Sequence, residues 1–251
     1  MGPFDRRVAI VTGAGRGLGR DYAVFLAADG AAVAVADLDP DGAAETAKMI
    51  DAAGGSSLAV SVDVSDVAST EAMAAQVVAH MGRIDILVNN AALWGDLQMA
   101  PIMDTEPSYW DRVMGVNLKG VWLCMRAVLP TMRAQGTGRI VNVSSIGAWM
   151  PGSVYGTTKA AVNQLTFAAA AELAPSGITV NAVAPGMIDN EATRRQVPAE
   201  HLEAMLAAMV PVGRFGTSRD IYGAIRYLCS DDAGWVTGQT ISPNGGSHAR
   251  W

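Results

Sequence analysis

Short aliphatic runs recur along this chain, separated by stretches with helical periodicity. They fall at residues 7–11, 32–36, 58–62, 85–89, 138–143, 178–183 and 239–241. Near-continuous Val, Ile and Ala, with little polar alternation, mark strands covered on both faces. Between the first two runs, Tyr22, Phe25 and Leu26 are the apolar markers of a helix over Arg20–Gly30, with Gly30 as its C-terminal stop. Strand and helix alternate over the whole length, which predicts an α/β fold: a doubly wound parallel sheet of about seven strands with helices on both faces. No Gly/Ser-rich or proline-rich linker, repeat or low-complexity block interrupts residues 1–251, so a single domain is expected.

Composition agrees with a large covered sheet. Half of the 251 residues are hydrophobic, only 17% are charged, and 27 are glycine. A net charge of −6 argues against nucleic acid as a partner. No stretch approaches ~18 uninterrupted apolar residues, and the N-terminus lacks a signal-peptide pattern, so no membrane partner and a cytoplasmic location are expected. Cys124 and Cys229 are isolated and read as small core residues. His80, His201 and His248 are scattered without ligand spacing, and no metal site is implied.

Two constellations carry chemistry. The first follows the first apolar run: Thr12-Gly13-Ala14-Gly15-Arg16-Gly17-Leu18-Gly19. Strand, glycine-rich turn and helix place backbone N–H groups and a helix N-terminus against a pyrophosphate, as in a Rossmann fold. Glycines at 13, 17 and 19 allow a tight turn and close backbone approach. Asp37 ends the second run, 18 residues beyond Gly19, where a carboxylate accepts hydrogen bonds from an adenosine ribose and repels a 2′-phosphate. Leu38 offers no compensating positive charge, so NAD is favoured over NADP. Arg16 is the dissenting residue, because a base there could meet a 2′-phosphate. The second constellation is Tyr155 and Lys159, four residues apart and so on one face of a helix. An ammonium beside a phenol favours the phenolate, so a lowered Tyr155 pKa and general acid–base work on an alcohol or carbonyl oxygen are expected.

Together with further signatures, these residues resemble the short-chain dehydrogenase/reductase family in its single-domain form. The resemblance spans nearly the whole chain. Thr12-Gly-x-x-x-Gly-x-Gly19 is similar to the family's cofactor loop, and Asp63-Val64 to the pair that meets the adenine ring. Ile86 to Ala91, with Asn89-Asn90-Ala91, resembles the fourth strand and its signature. Asn117 matches a structural and catalytic asparagine, and Ser145, after Ile140–Ser144, the catalytic serine. Ala184-Pro185-Gly186 and the stretch from Thr237-Gly238-Gln239 to Gly245-Gly246 complete the set. The resemblance implies that Tyr155 exchanges a proton with the substrate oxygen and Ser145 positions that oxygen. Lys159 is implied to depress the Tyr155 pKa and bind the nicotinamide ribose, and Asn117 to help hold a water linking Lys159 to solvent. It further implies cofactor contacts from Asn90, Ala91, Pro185, Gly186, Ile188 and Asn190.

The chain departs from the family in places. Ala92 stands where glycine is common. Only ten positions separate Ser145 from Tyr155, so the intervening loop is shortened, and Ser144 and Ser153 remain alternatives to Ser145. Asn190 stands where threonine often touches the cofactor.

Three segments should border the substrate: 92–103, 146–154 and a lid at about 187–212. They carry Leu93, Trp94, Met99, Ile102, Met103, Trp149, Met150, Met187, Met205, Leu206 and Met209, besides the charged Glu191, Arg194 and Arg195. Methionine and tryptophan make an adaptable apolar lining, pointing to a hydrophobic secondary alcohol or ketone, such as a cyclic, aromatic or terpenoid one. The same methionines could instead pack a lid helix against the body or a neighbouring subunit. Trp149 is the foremost candidate for substrate contact. The alternatives are a 3-oxoacyl-thioester reductase using NADPH and a catalytically silent NAD-binding sensor. A nucleotide-sugar epimerase would need a longer C-terminal domain. The family resemblance also implies a homo-oligomer, tetramer or dimer; the helices around 107–135 and 155–174, rich in small and apolar residues, could supply its interface or equally be buried within one subunit.

Overall fold

All seven apolar runs become strands of one parallel sheet in the computed structural model, which describes residues 2–94, 101–189, 206 and 208–248. They are β1 Val8–Thr12, β2 Ala32–Asp37, β3 Ser56–Ser61, β4 Ile86–Asn89, β5 Gly138–Val143, β6 Ile178–Val183 and β7 Thr240–Ile241. The spatial order is β3-β2-β1-β4-β5-β6-β7, with every neighbouring pair parallel. The order reverses between β1 and β4, and the crevice at such a switch point is where doubly wound sheets bind ligands.

Strand periodicity divides the apolar residues between two cores. Ala9, Val11, Val33, Val35, Ile86, Val88 and Val141 face one side. There they pack under α1 (Gly17–Ala28), α2 (Pro40–Ala52) and α7 (Ser218–Cys229), which bring Tyr22, Leu26, Ile50, Ile221 and Leu228. Val8, Ile10, Ala34, Ala36, Leu87, Ile140 and Val180 face the other side. Here α3 (Val67–Met81), α5 (Gly120–Gln135) and α6 (Val154–Leu173) cover them with Met73, Val77, Val128, Met132 and Val162. The fully buried Ile10 sits in an interior strand, so Ile10→Val should cost about 1 kcal/mol, read as a lower denaturant midpoint at unchanged slope.

Cys124 and Cys229 fall one in each core, and burial pushes each thiol up to about 12. No helix among the described residues is long and apolar enough to cross a membrane.

Two local differences from the sequence expectation bear on the site. Helix α1 begins at Gly17, inside the glycine motif and ahead of the expected start at Arg20, because glycine's poor helix propensity hides the first turn. The helical stretch from residue 107 is broken in register: α4 (Pro107–Met114) joins α5 through a π turn at Gly115–Lys119. Wide turns of this kind are frequent at functional sites, and this one contains Asn117.

Candidate active site

The carboxyl ends of β1, β2, β4, β5 and β6 carry almost every residue singled out above. At β1 the glycine loop is tied to β4. Thr12 Oγ1 accepts from the backbone N–H groups of Asn90 and Ala91, both at 3.1 Å. Asn90 Nδ2 donates to the carbonyls of Thr12 (3.0 Å) and Gly13 (3.1 Å). Gly13 has φ 64° and lies so close to β4 that a Cβ would approach Ala91 Cα to 2.7 Å. A Cβ at Gly19 would drive into the Gly13 carbonyl oxygen, so the strand–helix contact itself excludes a side chain.

Helix α1 is left open at its N-terminus. Asp39, Asp66, Ser153 and Thr217 cap α2, α3, α6 and α7 with their own side chains. The exposed Arg16 at the start of α1 makes no side-chain cap, and the first turn holds no acid. Those amides and the positive end of the helix dipole fit a pyrophosphate. Leu18, in this first turn, is half-buried.

Asp37, the last residue of β2, braces the loop from the other side. Its Oδ2 accepts from Gly15 N at 2.7 Å and its Oδ1 from Asp39 N at 3.0 Å. Leu38 beside it is exposed. Arg20 braces the loop from α1, donating to the Gly15 carbonyl, to Thr46 Oγ1 at 3.0 Å and to Glu45 Oε2 at 2.7 Å. At the end of β3, Asp63 accepts from Ser65 N and Oγ, while Val64 is buried against Gly120. At the end of β6, Pro185 O accepts from Ile146 N at 3.0 Å, and Gly186 N donates to Pro243 O at 3.1 Å. Met187 and the buried Ile188 continue this turn and pair with Gly216.

The second constellation lies at the start of α6. Ser153 caps this helix, accepting from Gly156 N at 3.2 Å. Tyr155 and Lys159 follow one turn apart and are 9% and 2% exposed. Ser145 is the serine beside the Tyr155 phenol, which it draws downward in pKa, and its hydroxyl accepts from Gly147 N at 3.1 Å. Ser144 instead donates to the Lys159 carbonyl at 3.1 Å, and the Ser153 hydroxyl is taken up by the helix cap.

One expectation is reversed. Burial pushes the Tyr155 phenol up from 10.0 to about 12, only partly offset by the hydrogen bond with Ser145. Burial also brings Lys159 down from 10.5 to about 8. The lysine does not reach the phenol oxygen: Nζ donates to Val143 O at 2.7 Å and lies 5.5 Å from the centre of the Tyr155 ring. Desolvation therefore outweighs the anticipated attraction.

Asn117, fully buried in the π turn, differs from expectation in its contacts. Its Oδ1 accepts from Leu93 N at 2.7 Å and its Nδ2 donates to Leu93 O at 3.3 Å. The side chain thus clamps the segment after β4. This clamp places Trp94, whose ring lies 4.7 Å from the Tyr155 ring at a 44° tilt. Trp149, in the turn Ile146–Trp149, stacks on His248 with ring centres 5.5 Å apart.

Not every candidate is gathered here. Met103 is 90% exposed and lines nothing. Met99, Asn190, Glu191, Arg194, Arg195 and Met205 lie outside the described residues. Sequence reasoning missed Arg20, Asn244 and His248. The arginine sits one residue past the glycine motif, and the stack of His248 on Trp149 joins segments too far apart in the chain to leave a periodic signal.

A glycine-rich strand–turn–helix at a switch point, with an acid after the next strand, defines a dinucleotide-binding α/β protein. A family model described as enoyl-(acyl carrier protein) reductase matches residues 13–248. The chain is 46% identical over 247 residues to an uncharacterized oxidoreductase of Mycobacterium tuberculosis, covering 98% of this chain and 99% of that one. It is 41% identical over 244 residues to the 3-oxoacyl-(acyl-carrier-protein) reductase FabG of Staphylococcus aureus, covering 96% and 97%. A crystal structure of a putative short-chain alcohol dehydrogenase from Sinorhizobium meliloti superposes with TM-score 0.91 at 36% identity, covering 97% of this chain and 96% of that one. The protein belongs to the short-chain dehydrogenase/reductase family, and this membership makes it an oxidoreductase working with a nicotinamide cofactor.

Proposed function

We propose that this protein is an NAD-dependent dehydrogenase for a hydrophobic secondary alcohol, or the reductase of the corresponding ketone. The observation that carries the reading is the buried Tyr155 phenol, one helical turn from Lys159, with Ser145 and the Trp94 ring beside it. When bound, the nicotinamide accepts a hydride from the alcohol carbon or returns one to the ketone. Tyr155 takes the alcohol proton, or supplies it in reduction, and Ser145 holds the substrate oxygen in reach. Lys159 orients the ribose and, as a cation behind the ring, favours the phenolate once Nζ leaves Val143 O. Asn117 keeps the Leu93–Trp94 segment in place.

The cofactor side would be held by Gly13, Arg16, Gly17, Leu18, Gly19, Asp37, Leu38, Asp63, Val64, Asn90, Ala91, Pro185, Gly186, Ile188 and Asn190. Trp94, Trp149 and Met187 would meet the substrate. Residues 1–251 form one catalytic domain in this reading, with 187–212 as lid. The preference for NAD rests on Asp37, whose carboxylate already bonds Gly15 and Asp39 and leaves a 2′-phosphate facing negative charge.

A second reading, a 3-oxoacyl-thioester reductase using NADPH, is favoured by the FabG relative. The decisive assay is nicotinamide absorbance with NAD or NADP against cyclic and aromatic secondary alcohols, and with NADH or NADPH against a 3-oxoacyl thioester. Turnover of alcohols with NAD supports the proposal; turnover of the thioester alone, with NADPH, replaces it. Asp37→Ala should weaken NAD binding about tenfold and narrow the preference over NADP, which calorimetry with both cofactors would measure. An unchanged NAD affinity would remove Asp37 from the ribose site.

Homo-oligomeric assembly is part of the proposal. Trp122 is 46% exposed on a groove shared with Met114, Leu118 and Leu165, a groove that includes none of the catalytic four. Trp235 is fully exposed, and Phe167 is largely exposed. Sedimentation at several concentrations would read the state.

A further inference from the structure

The last described residues form a compact turn around Asn244, and that turn touches three parts of the site at once. Asn244 Nδ2 donates to Ser242 Oγ at 2.9 Å and to His248 O at 2.8 Å. Its Oδ1 accepts from Gly246 N at 2.9 Å, and its backbone carbonyl accepts from Ser247 N at 3.1 Å and Ser247 Oγ at 2.6 Å. Gly186 in the cofactor turn lies so close that a Cβ there would approach Asn244 Cα to 2.6 Å. On another side, Val212 N donates to Gly245 O at 3.0 Å, which fixes the end of the expected lid segment.

The third contact is His248. Its ring lies parallel to Trp149 within 4°, with centres 5.5 Å apart, an offset stack between otherwise remote segments. Trp149 ends a short turn that also borders the reacting group: a Cβ on Gly147 would sit 3.4 Å from Ser145 Oγ and 3.6 Å from Tyr155 Cε1. The turn is short because only ten positions separate Ser145 from Tyr155. It has little backbone of its own to fix a large indole, and the C-terminal turn offers a ring for it to stack on.

We propose that His248 is a positioning residue for substrate selection: held by Asn244, it fixes the Trp149 indole at the end of the turn whose Gly147 borders Ser145 and Tyr155. This deepens the reading of Trp149 as a substrate contact and rests on it. A fixed indole gives a flat wall suited to cyclic or aromatic substrates, whereas a freely rotating one gives no such preference. His248 touches no reacting atom, so its effect falls on substrate affinity rather than on the chemical step.

Three full-length variants, His248→Ala, His248→Phe and Trp149→Phe, test this on a panel of cyclic and acyclic alcohols together with a 3-oxoacyl thioester. His248→Ala is expected to raise KM for the accepted cyclic substrate about three- to tenfold, the worth of one aromatic pair, with a smaller change in kcat. His248→Phe restores the stack and should restore KM. Combining His248→Ala with Trp149→Phe should raise KM no further than Trp149→Phe alone. A turnover-free readout accompanies these: the acrylamide quenching of Trp149, taken as wild type minus Trp149→Phe, should rise in His248→Ala and return in His248→Phe. Unchanged quenching in His248→Ala, or KM effects that add in the double variant, overturns the proposal. If no alcohol turns over while the quenching behaves as expected, it is the dehydrogenase reading that fails, and the KM comparison is made on the thioester.

Discussion

Tyr155→Phe is expected to lower turnover by ~10² or more while leaving the cofactor dissociation constant within about twofold. The substitution removes one hydroxyl. The ring that packs on Trp94 at 4.7 Å remains, and so does the capped first turn of α6. What disappears is the phenol oxygen beside Ser145, and with it the only acid–base function proposed for the substrate oxygen. Steady-state kinetics and cofactor titration on the same preparations check it; wild-type turnover in the Phe variant would sink the assignment. The variant also isolates the titration of this tyrosine. Burial holds its phenol near 12, above the ordinary 10.0, so folding favours the protonated form. That stability is complete below pH 10 and drains between 10 and about 12. The phenolate absorbance of wild type minus Phe variant should therefore emerge only toward pH 12. A Tyr155 signal below pH 10 without cofactor would mean that Lys159 already controls the phenol.

The sheet was legible because strands buried on both faces leave dense aliphatic runs, and all seven appear within two residues of where those runs lie. β1 shows why: Ala9 and Val11 serve one core while Val8 and Ile10 serve the other, so neither parity can become polar. The residues at the strand ends were legible for a related reason. Glycines 13 and 19 are forced by backbone contact, and Asp37 by its position after β2. Spacing alone did not convey electrostatics. Four residues between Tyr155 and Lys159 place both on one face, but burial and the choice of Val143 O as hydrogen-bond partner set their pKa values. Contacts between remote segments were also invisible. The Asn117 clamp on Leu93 needs the π turn, whose register shift no apolar period announces. The stack of Trp149 on His248 depends on a turn built by Asn244.

Lys159→Met is expected to trade function for stability, with a sign that changes with pH. In the folded chain burial lowers the lysine from 10.5 to about 8, so folding favours the neutral amine. Below about pH 8 the native state carries the full cost of a buried cation, on the order of 3 kcal/mol. The cost shrinks as pH rises and is gone above 10.5, where the unfolded chain has also lost its proton. Methionine fills similar volume without charge, but it leaves Val143 O without the 2.7 Å donor, a loss of about 1–2 kcal/mol. At pH 7 the variant should therefore be more stable by about 1 kcal/mol, whereas above pH 10.5 it should be less stable by a similar amount. Denaturant unfolding of both proteins at the two pH values measures the reversal. Turnover should fall about 10²-fold at either pH, because no cation remains to bind the ribose or favour the Tyr155 phenolate. A variant destabilised equally at both pH values would show that Lys159 is charged and satisfied in the free protein. The buried ammonium would then be part of the resting site rather than a strain released when Nζ leaves Val143 O.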